Sequence, residues 1–387
     1  MRREHCDVLI VGAGPAGAAA GIGLARAGLD VLAVDRATFP RDKTCGDALS
    51  NAAVALIGAL GAADALAAAP HAIVRAGAAI LPDGARIVRG YGDAPGLIVG
   101  RRDLDDLLRR RMQAAGARLV EGQPIRRLVR EAEDRILVEG PGFTGHARAV
   151  IAADGPGSVA WAALGEPYPR GPRLAVAATV YLRGAAPAEP GTAEHYFERD
   201  LPCGYGWLFP PVDGLANAGV YQRADHYHHD GRHIRDRLRD FLARHPDRFA
   251  GAEPAGPVRT WALPLALRPW PLAGGPGILV CGDAGQAIDP LSGEGIWQAL
   301  KTGTLAADHA AAALRDRGRI DAATVRAYRL ACARAIAWPS LVKAGIQEGM
   351  RLLVARGWDR SPSVQRALQW GYGSGRGEFS KAIGQLH

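Results

Sequence analysis

Apolar residues along the chain follow two rhythms. The runs Cys6–Val11 (CDVLIV) and Asp30–Asp35 (DVLAVD) are short and continuous, as a parallel strand buried on both faces requires. Between them Pro15–Gly28 (PAGAAAGIGLARAG) spaces small and branched residues as a helix does and closes on a glycine. These three pieces predict a compact βαβ unit. From about 73 to 99 the runs HAIVRAGAAI, ARIVRGY and GLIVG alternate and are broken by Gly, Pro and Asp, which predicts strands of a second sheet. A helix is expected from Asp103 to Ala115, strands over 118–122 and 135–153, and an antiparallel sheet over 173–222. A polar helix near 231–244 follows, then a buried strand in GILVCGDAG and a helix over 293–313. Beyond Asp321 the pattern is helical to the end.

Where the first predicted strand turns into its helix stands Gly12-x-Gly14-Pro15-Ala16-Gly17. Glycines there permit a tight turn and let backbone N–H groups and the helix N-terminus approach a pyrophosphate. Asp35 closes the next strand, at the distance from which a carboxylate accepts hydrogen bonds from ribose hydroxyls, and Arg36 follows it. The expected fold class is therefore α/β. A Rossmann-type dinucleotide-binding domain takes residues 1–72, 100–165 and 260–320. An inserted antiparallel β-sheet domain for substrate takes 73–99 and 166–259, and a C-terminal helical region takes 321–387. The βαβ unit alone leaves NAD and FAD both open.

Composition narrows the partners. At 387 residues and 48% hydrophobic content the chain can bury a large core. Its five cysteines, Cys6, Cys45, Cys203, Cys281 and Cys332, are scattered without a C-x-x-C pair, which argues against a disulfide framework or a zinc site and for a reducing cytoplasm. The opening MRREHCDVLIVGAG has too short an apolar run for a signal peptide, and no run of about twenty apolar residues predicts a spanning helix. Peripheral membrane association stays open. The net charge of +8 comes from arginines interspersed with acids, as in RRDLDDLLRRR, so anionic phosphates or lipids suit it better than nucleic acid. The stretch Asp225–Asp230 with His233 offers imidazoles and carboxylates without helical His spacing; a solvated loop is the expectation, with no metal.

Two further stretches decide the cofactor. Ala153-Asp154-Gly155-x-x-Ser158 follows one predicted strand, and Cys281-Gly282-Asp283-Ala284 follows another and leads to Pro290-x-x-Gly293-Glu294-Gly295. With these the chain resembles the p-hydroxybenzoate hydroxylase-like superfamily of flavoproteins. Phe39–Asp47 (FPRDKTCGD), Gly204–Pro210 (GYGWLFP) and Pro290–Ile296 (PLSGEGI) narrow the resemblance, over residues 5–310, to the geranylgeranyl reductase family. The resemblance implies FAD, contacted by Asp154, Gly282 and Asp283. It implies that the turn of Pro290, Gly293, Glu294, Gly295 and Ile296 presents N–H groups to the flavin ring. Arg101, ahead of an L-D-x-x-L helix, is the implied FAD-side arginine, with Arg102 the alternative. Cys45 and Gly46 are implied beside the isoalloxazine, and Tyr205, Trp207 and Phe209 along the substrate cavity.

Members of that family saturate isoprenoid double bonds in chlorophyll precursors, archaeal lipids or menaquinone. The implied chemistry is hydride delivery from reduced FAD to one alkene carbon of a hydrophobic substrate and protonation of the other, by water, Cys45 or Tyr205. NAD(P)H or a separate reductase protein would supply the electrons, since AGGPG at 273–277 precedes a strand and is no second nucleotide fingerprint. Two positions depart from the family pattern: Trp161 stands where an arginine is usual, and Asp47 where glycine often follows Cys45-Gly46. An oxygen-using monooxygenase or halogenase of the same fold, acting on an aromatic or polyketide compound, is the alternative. Gly285-Gln286 in place of a histidine, and the lack of a W-x-W-x-I-P segment, weigh against it. A non-catalytic carrier of prenylated partners is the other, and Asp35, Asp154 and Asp283 weigh against that.

Overall fold

A computed structural model of the chain describes residues 2–227 and 231–373. The strand Arg2–Val11 lies inside an eight-stranded sheet, in parallel with Val31–Val34 on one side and Phe143–Ala152 on the other. Arg118–Val120 extends the sheet beyond Val31–Val34. The first strand starts four residues before its apolar run because Arg2–Cys6 pairs with Phe143–Ala147, and backbone pairing needs no apolar side chain. The predicted strand over 135–153 is a hairpin instead: Arg135–Gly140 turns at Pro141-Gly142 into Phe143–Ala152. The outer edge of Phe143–Ala152 is shared, its first half pairing with Arg135–Gly140 and its last three residues with Ile278–Val280. Chain segments far apart in sequence thus complete one sheet.

Two helices cover one face of this sheet through small residues. Pro15–Arg26 and Ile296–Arg317 approach so closely that a Cβ on Gly303 would stand 2.2 Å from the Ala16 carbonyl oxygen, and one on Gly23 would stand 2.7 Å from the Ala307 Cβ. The alanine-rich composition of both helices follows from that spacing. Arg101–Ala114 packs beside them, beginning two residues earlier than predicted.

The second sheet runs in the spatial order Leu174–Arg183, Leu215–Arg223, Gly204–Leu208, Thr192–Tyr196, Ala76–Ile80, Arg86–Gly90. Only the pairing of Thr192–Tyr196 with Ala76–Ile80 is parallel among these. Arg259–Pro264 pairs with the free edge of Leu174–Thr179. The expected boundary between 259 and 260 therefore falls inside a strand, and 260–264 belongs with the second sheet; the apolar run there reads alike in either place, and only the ladder assigns it. One face of the sheet, with Val180, Leu208 and Val220, packs on Leu238 and Phe241 of the helix Ile234–Arg244. The other face looks into a cavity.

From Ala322 the chain is helical as far as it is described: Ala322–Cys332, a π turn, Trp338–Ala355 and Pro362–Leu368. Tyr328 docks the first of these by donating to the Val280 carbonyl at 2.9 Å. Residues 374–387, the rest of the expected C-terminal helical region, lie outside the described residues. Among the described residues no helix is long and apolar enough to cross a membrane.

Candidate active site

Backbone builds one end of the site. Gly12 turns with φ +96° against the Asp154 loop, where a Cβ would stand 2.5 Å from the Ala153 carbonyl oxygen. At Gly17 a Cβ would stand 1.8 Å from the Gly12 carbonyl oxygen, so turn and helix touch through bare backbone. Around Gly14 only Arg41 Nη2, at 3.4 Å, is near the missing Cβ, and the helix after it begins with neither a side-chain cap nor an acid in its first turn. That leaves N–H groups and a partial positive charge facing an opening.

The acids around this end are already partly engaged. Asp35 is buried and accepts from the N–H groups of Ala13 (2.7 Å) and Ala37 (2.8 Å), with one lone pair left on each oxygen. Arg36 is exposed, and its charge acts on Asp154 against the burial that pushes that carboxyl up. Asp154 accepts from Val159 N–H at 2.9 Å, while its Oδ1 is buried without a partner. Trp161 donates its indole N–H to the Ala284 carbonyl at 2.6 Å, so this departure from the family pattern ties the Asp154 loop to the Gly282-Asp283 turn. Gly282 donates to Thr302 Oγ1 at 2.9 Å, and Asp283 pairs with Lys43 at 3.1 Å.

The turn before Ile296–Arg317 offers fewer N–H groups than its sequence suggests. Those of Leu291 and Ser292 donate to Asp289 Oδ1, that of Gly293 to the Asp289 carbonyl and that of Glu294 to Ser292 Oγ. The free helix start is at Gly295 and Ile296, where no side chain caps the helix. The Pro290 carbonyl accepts from Tyr221 (2.8 Å) and Gln347 (2.7 Å), which makes Pro290 a structural anchor. Glu294 accepts from Ser50 Oγ at 2.6 Å and is pushed up by burial.

Side chains build the other end. A cavity of about 510 Å³ joins Pro15, Cys45, Gly46, Arg101, Asp283 and the Gly293–Ile296 turn to Tyr205, Trp207 and Phe209. Strand periodicity explains the wall: residues two apart share a face, so Ala177 and Thr179, Ala193, His195 and Phe197, and Tyr205, Trp207 and Phe209 all turn inward. Trp207 stacks on Phe209, and a Cβ on Gly219 would collide with the Trp207 ring, so glycine makes room for it. Tyr205 donates its hydroxyl to the Ser292 carbonyl, and burial pushes its phenol up. His195 meets Tyr205 and Phe209 edge-on, and burial holds it down at about 4, so it is neutral near pH 7. The helix Trp338–Ala355 roofs the cavity with Lys343, Ile346 and Met350, anchored by a buried ion pair of Lys343 with Asp289 at 2.7 Å.

Asp105, Asp47 and Asn217, which sequence reasoning did not select as site residues, complete this end. Asp105, fully buried, takes a two-bond contact from Arg101 (2.8 Å each) and pairs with Arg41 at 2.7 Å; Arg102 is exposed. The i, i+4 pair of Arg101 and Asp105 arises because the helix begins at Arg101, two residues before the predicted start, so the predicted boundary hid it. Asp47 is buried with φ +63°, accepts from Tyr181 and from Asn217 Nδ2 (2.9 Å), and is pushed by burial up to about 6. Asn217 also donates to the Cys45 carbonyl (2.8 Å) and accepts from Trp207 (3.0 Å), binding the cysteine loop to the aromatic wall. Burial pushes the Cys45 thiol up, against the charge of Arg101.

The polar stretch after Arg223 is partly outside the described residues, which exclude His228, His229 and Asp230. His233 caps the helix Ile234–Arg244. Cys203, His226 and Glu348 have ligand atoms within 4.8 Å of one another, but the Arg223 guanidinium bonds both His226 and Glu348 and already supplies the positive charge there.

The open helix start at Gly14, the unpartnered buried Asp154 Oδ1 and the lone pairs left on Asp35 suit the N–H-seeking pyrophosphate and the hydroxyl-bearing chain of FAD. The family described as FAD binding domain matches residues 5–337. Over 320 residues the chain is 34% identical to the menaquinone reductase of Mycobacterium tuberculosis, covering 79% of this chain and 76% of that protein. It is 28% identical over 342 residues to the digeranylgeranylglycerophospholipid reductase of Methanocella arvoryzae, covering 85% and 82%. Among solved structures, a geranylgeranyl bacteriochlorophyll reductase-like protein of Thermoplasma acidophilum superposes with TM-score 0.77 over 100% of both chains at 20% identity. The flavin-dependent brominase Bmp2 superposes with TM-score 0.76 over 98% of both at 21% identity, so the fold is shared with halogenases. With its glycine turn, its acids and two thirds or more of its length matched, the chain is an FAD-dependent oxidoreductase of the geranylgeranyl reductase family.

Proposed function

We propose that the protein saturates carbon–carbon double bonds in the isoprenoid chain of a prenyl lipid or quinone. The observation that carries this reading is the cavity itself, which runs from the flavin end between an aromatic sheet face and a roof helix and is lined mainly by apolar side chains. An unbranched polar metabolite would leave that wall unpaired with anything but water, whereas a prenyl chain buries against it at roughly 25 cal/mol per Å². The names of the menaquinone and digeranylgeranylglycerophospholipid reductases point to the same substrate chemistry.

Bound FAD supplies hydride chemistry at its ring. The chain's own residues do the rest. Arg101, fixed by Asp105, places a permanent positive charge beside Cys45 at the reacting end. The open start of Ile296–Arg317 adds a partial positive charge there. Tyr205, Trp207 and Phe209 hold the alkene-bearing chain and exclude water, and Cys45 and Tyr205 are among the lining side chains that bear a transferable proton.

The roof helix has a second apolar face. Trp338, Leu341, Val342 and Leu352 are exposed on the side away from Lys343 and Met350, and Trp270 meets Trp338 edge-on. This face suits contact with a lipid surface that holds the substrate. Electrons come from NAD(P)H or a partner reductase. The test is anaerobic: reduced enzyme is mixed with polyprenyl diphosphates, prenyl lipids and menaquinones, free and in phospholipid vesicles. Flavin reoxidation with a two-hydrogen gain in product mass is the expected result, faster in vesicles. Turnover of an aromatic compound only when oxygen and halide are admitted would favour the halogenase chemistry instead.

A further inference from the structure

Asp47 stands out among the residues around the cavity. It lines the cavity two residues beyond Cys45, yet its side chain is almost wholly buried. Its backbone sits at φ +63°, in the left-handed region that glycine adopts freely and residues with a Cβ adopt less readily. Its Oδ2 is fully used, accepting from Tyr181 and Asn217, while Oδ1 is buried with no partner at all. A buried unpaired carboxylate oxygen in a strained backbone is expensive to keep, and a fold that needed only the turn would be served better by glycine.

The surroundings define what this carboxyl can do. From its own loop it faces Cys45 and Asp42; from the second sheet, Tyr181 and Asn217; from the helix Arg101–Ala114, Arg101. One cation, one further acid and two hydrogen-bond donors leave it able to hold a proton near neutral pH, at about 6. The two donors named from the sequence hold their protons more tightly, since burial pushes up both the Cys45 thiol and the Tyr205 phenol, and the Glu294 carboxyl, also pushed up, is engaged by Ser50. Efficient acid catalysis wants a group whose affinity for the proton lies near the working pH. Tyr181, whose hydroxyl is bonded to Asp47, is itself only partly buried.

We propose that Asp47 is the acid that protonates the second alkene carbon in the reduction. The inference rests on the double-bond reductase reading above. With the hydride and both electrons coming from bound reduced FAD, one C–H bond forms at the first carbon. The O–H bond of Asp47 breaks, its proton forms the second C–H bond, and the electron pair stays on the carboxylate. The double bond becomes a single bond, and Asp47 regains a proton from water.

The test uses the holoenzyme and whichever panel compound the wild type reduces. Asp47→Asn keeps the size and tolerates the left-handed backbone, and Asp47→Gly relieves it. Both are expected to retain FAD and to be reduced normally, and to lose at least 100-fold in reoxidation by the alkene. The wild-type rate is expected to fall as pH rises through about 6, a fall absent from the residual rate of either variant. Thermal unfolding gives a readout independent of turnover. A carboxyl raised in the folded state stabilises below its unfolded value and loses that contribution as pH rises through its folded value. Acidification from pH 7 to 5 should therefore raise the wild-type midpoint relative to Asp47→Asn. Reoxidation within threefold of wild type in either variant, or the loss falling on Cys45→Ser alone, overturns the proposal while leaving the reductase reading intact. A wild type that reduces no compound in the panel removes the reading and the proposal together.

Discussion

The two ends of the cavity are made of different materials. At the nucleotide end the shape is set by backbone: Gly12, Gly14 and Gly17 work by lacking a Cβ, and the N–H groups of a helix start face the opening. At the substrate end it is set by side chains carried on alternate residues of several strands, which gives a wall that can be altered one ring at a time. A backbone site tolerates almost no substitution and holds one cofactor. A side-chain wall keeps its fold while its lining varies, and the sharing of this fold between reductase-like proteins and a brominase fits that division.

The contrast can be broken at either end. The largest effect is expected from Gly17→Ala, whose Cβ would enter the Gly12 carbonyl; flavin should be absent from the purified protein and stability should fall by about 3 kcal/mol, read by urea unfolding. At the wall, His195 sharpens the comparison through pH. Its folded value, about 4, lies below the ordinary histidine value, so the folded state resists protonation and stability falls as pH drops below about 6.5. His195→Gln should remove about 2 kcal/mol of that loss at pH 5, with flavin content unchanged, and Asp47 works in the opposite direction over the same range. The smallest effect is expected from Trp207→Phe, which keeps a ring but gives up the bond to Asn217: about 1 kcal/mol in stability, a higher KM for long prenyl substrates and normal flavin binding, measured by titration and steady-state kinetics.

The same contrast explains how much was readable from the chain alone. Gly12, Gly17 and Asp35 are legible because their constraint is local: a tight turn, a helix start and a strand end within one βαβ unit. Tyr205, Trp207 and Phe209 were implied by the family resemblance, and in the fold their period-two spacing turns all three toward the cavity. Asp47 is not, since its meaning comes from Tyr181 and Asn217, 134 and 170 residues away. His195 lay within a predicted strand, but which face of it would be wet, apolar or lined with rings depended on sheet order. The displaced boundary at 259/260 has the same origin, a strand whose residues fit either sheet and whose partner, Leu174–Thr179, decides.

The shared outer edge of Phe143–Ala152 bears on how the molecule is made. During synthesis the glycine turn leaves the ribosome early, but its sheet cannot close until Ile278–Val280 has emerged and paired with Val150–Ala152. The helix that packs on the glycine-turn helix, Ile296–Arg317, emerges later still. The nascent chain therefore spends most of its elongation with an unpaired strand edge and no complete flavin pocket, a state open to chaperones and to aggregation. Cofactor capture is then a late event, tied to release of the finished polypeptide and not to the appearance of its first fingerprint.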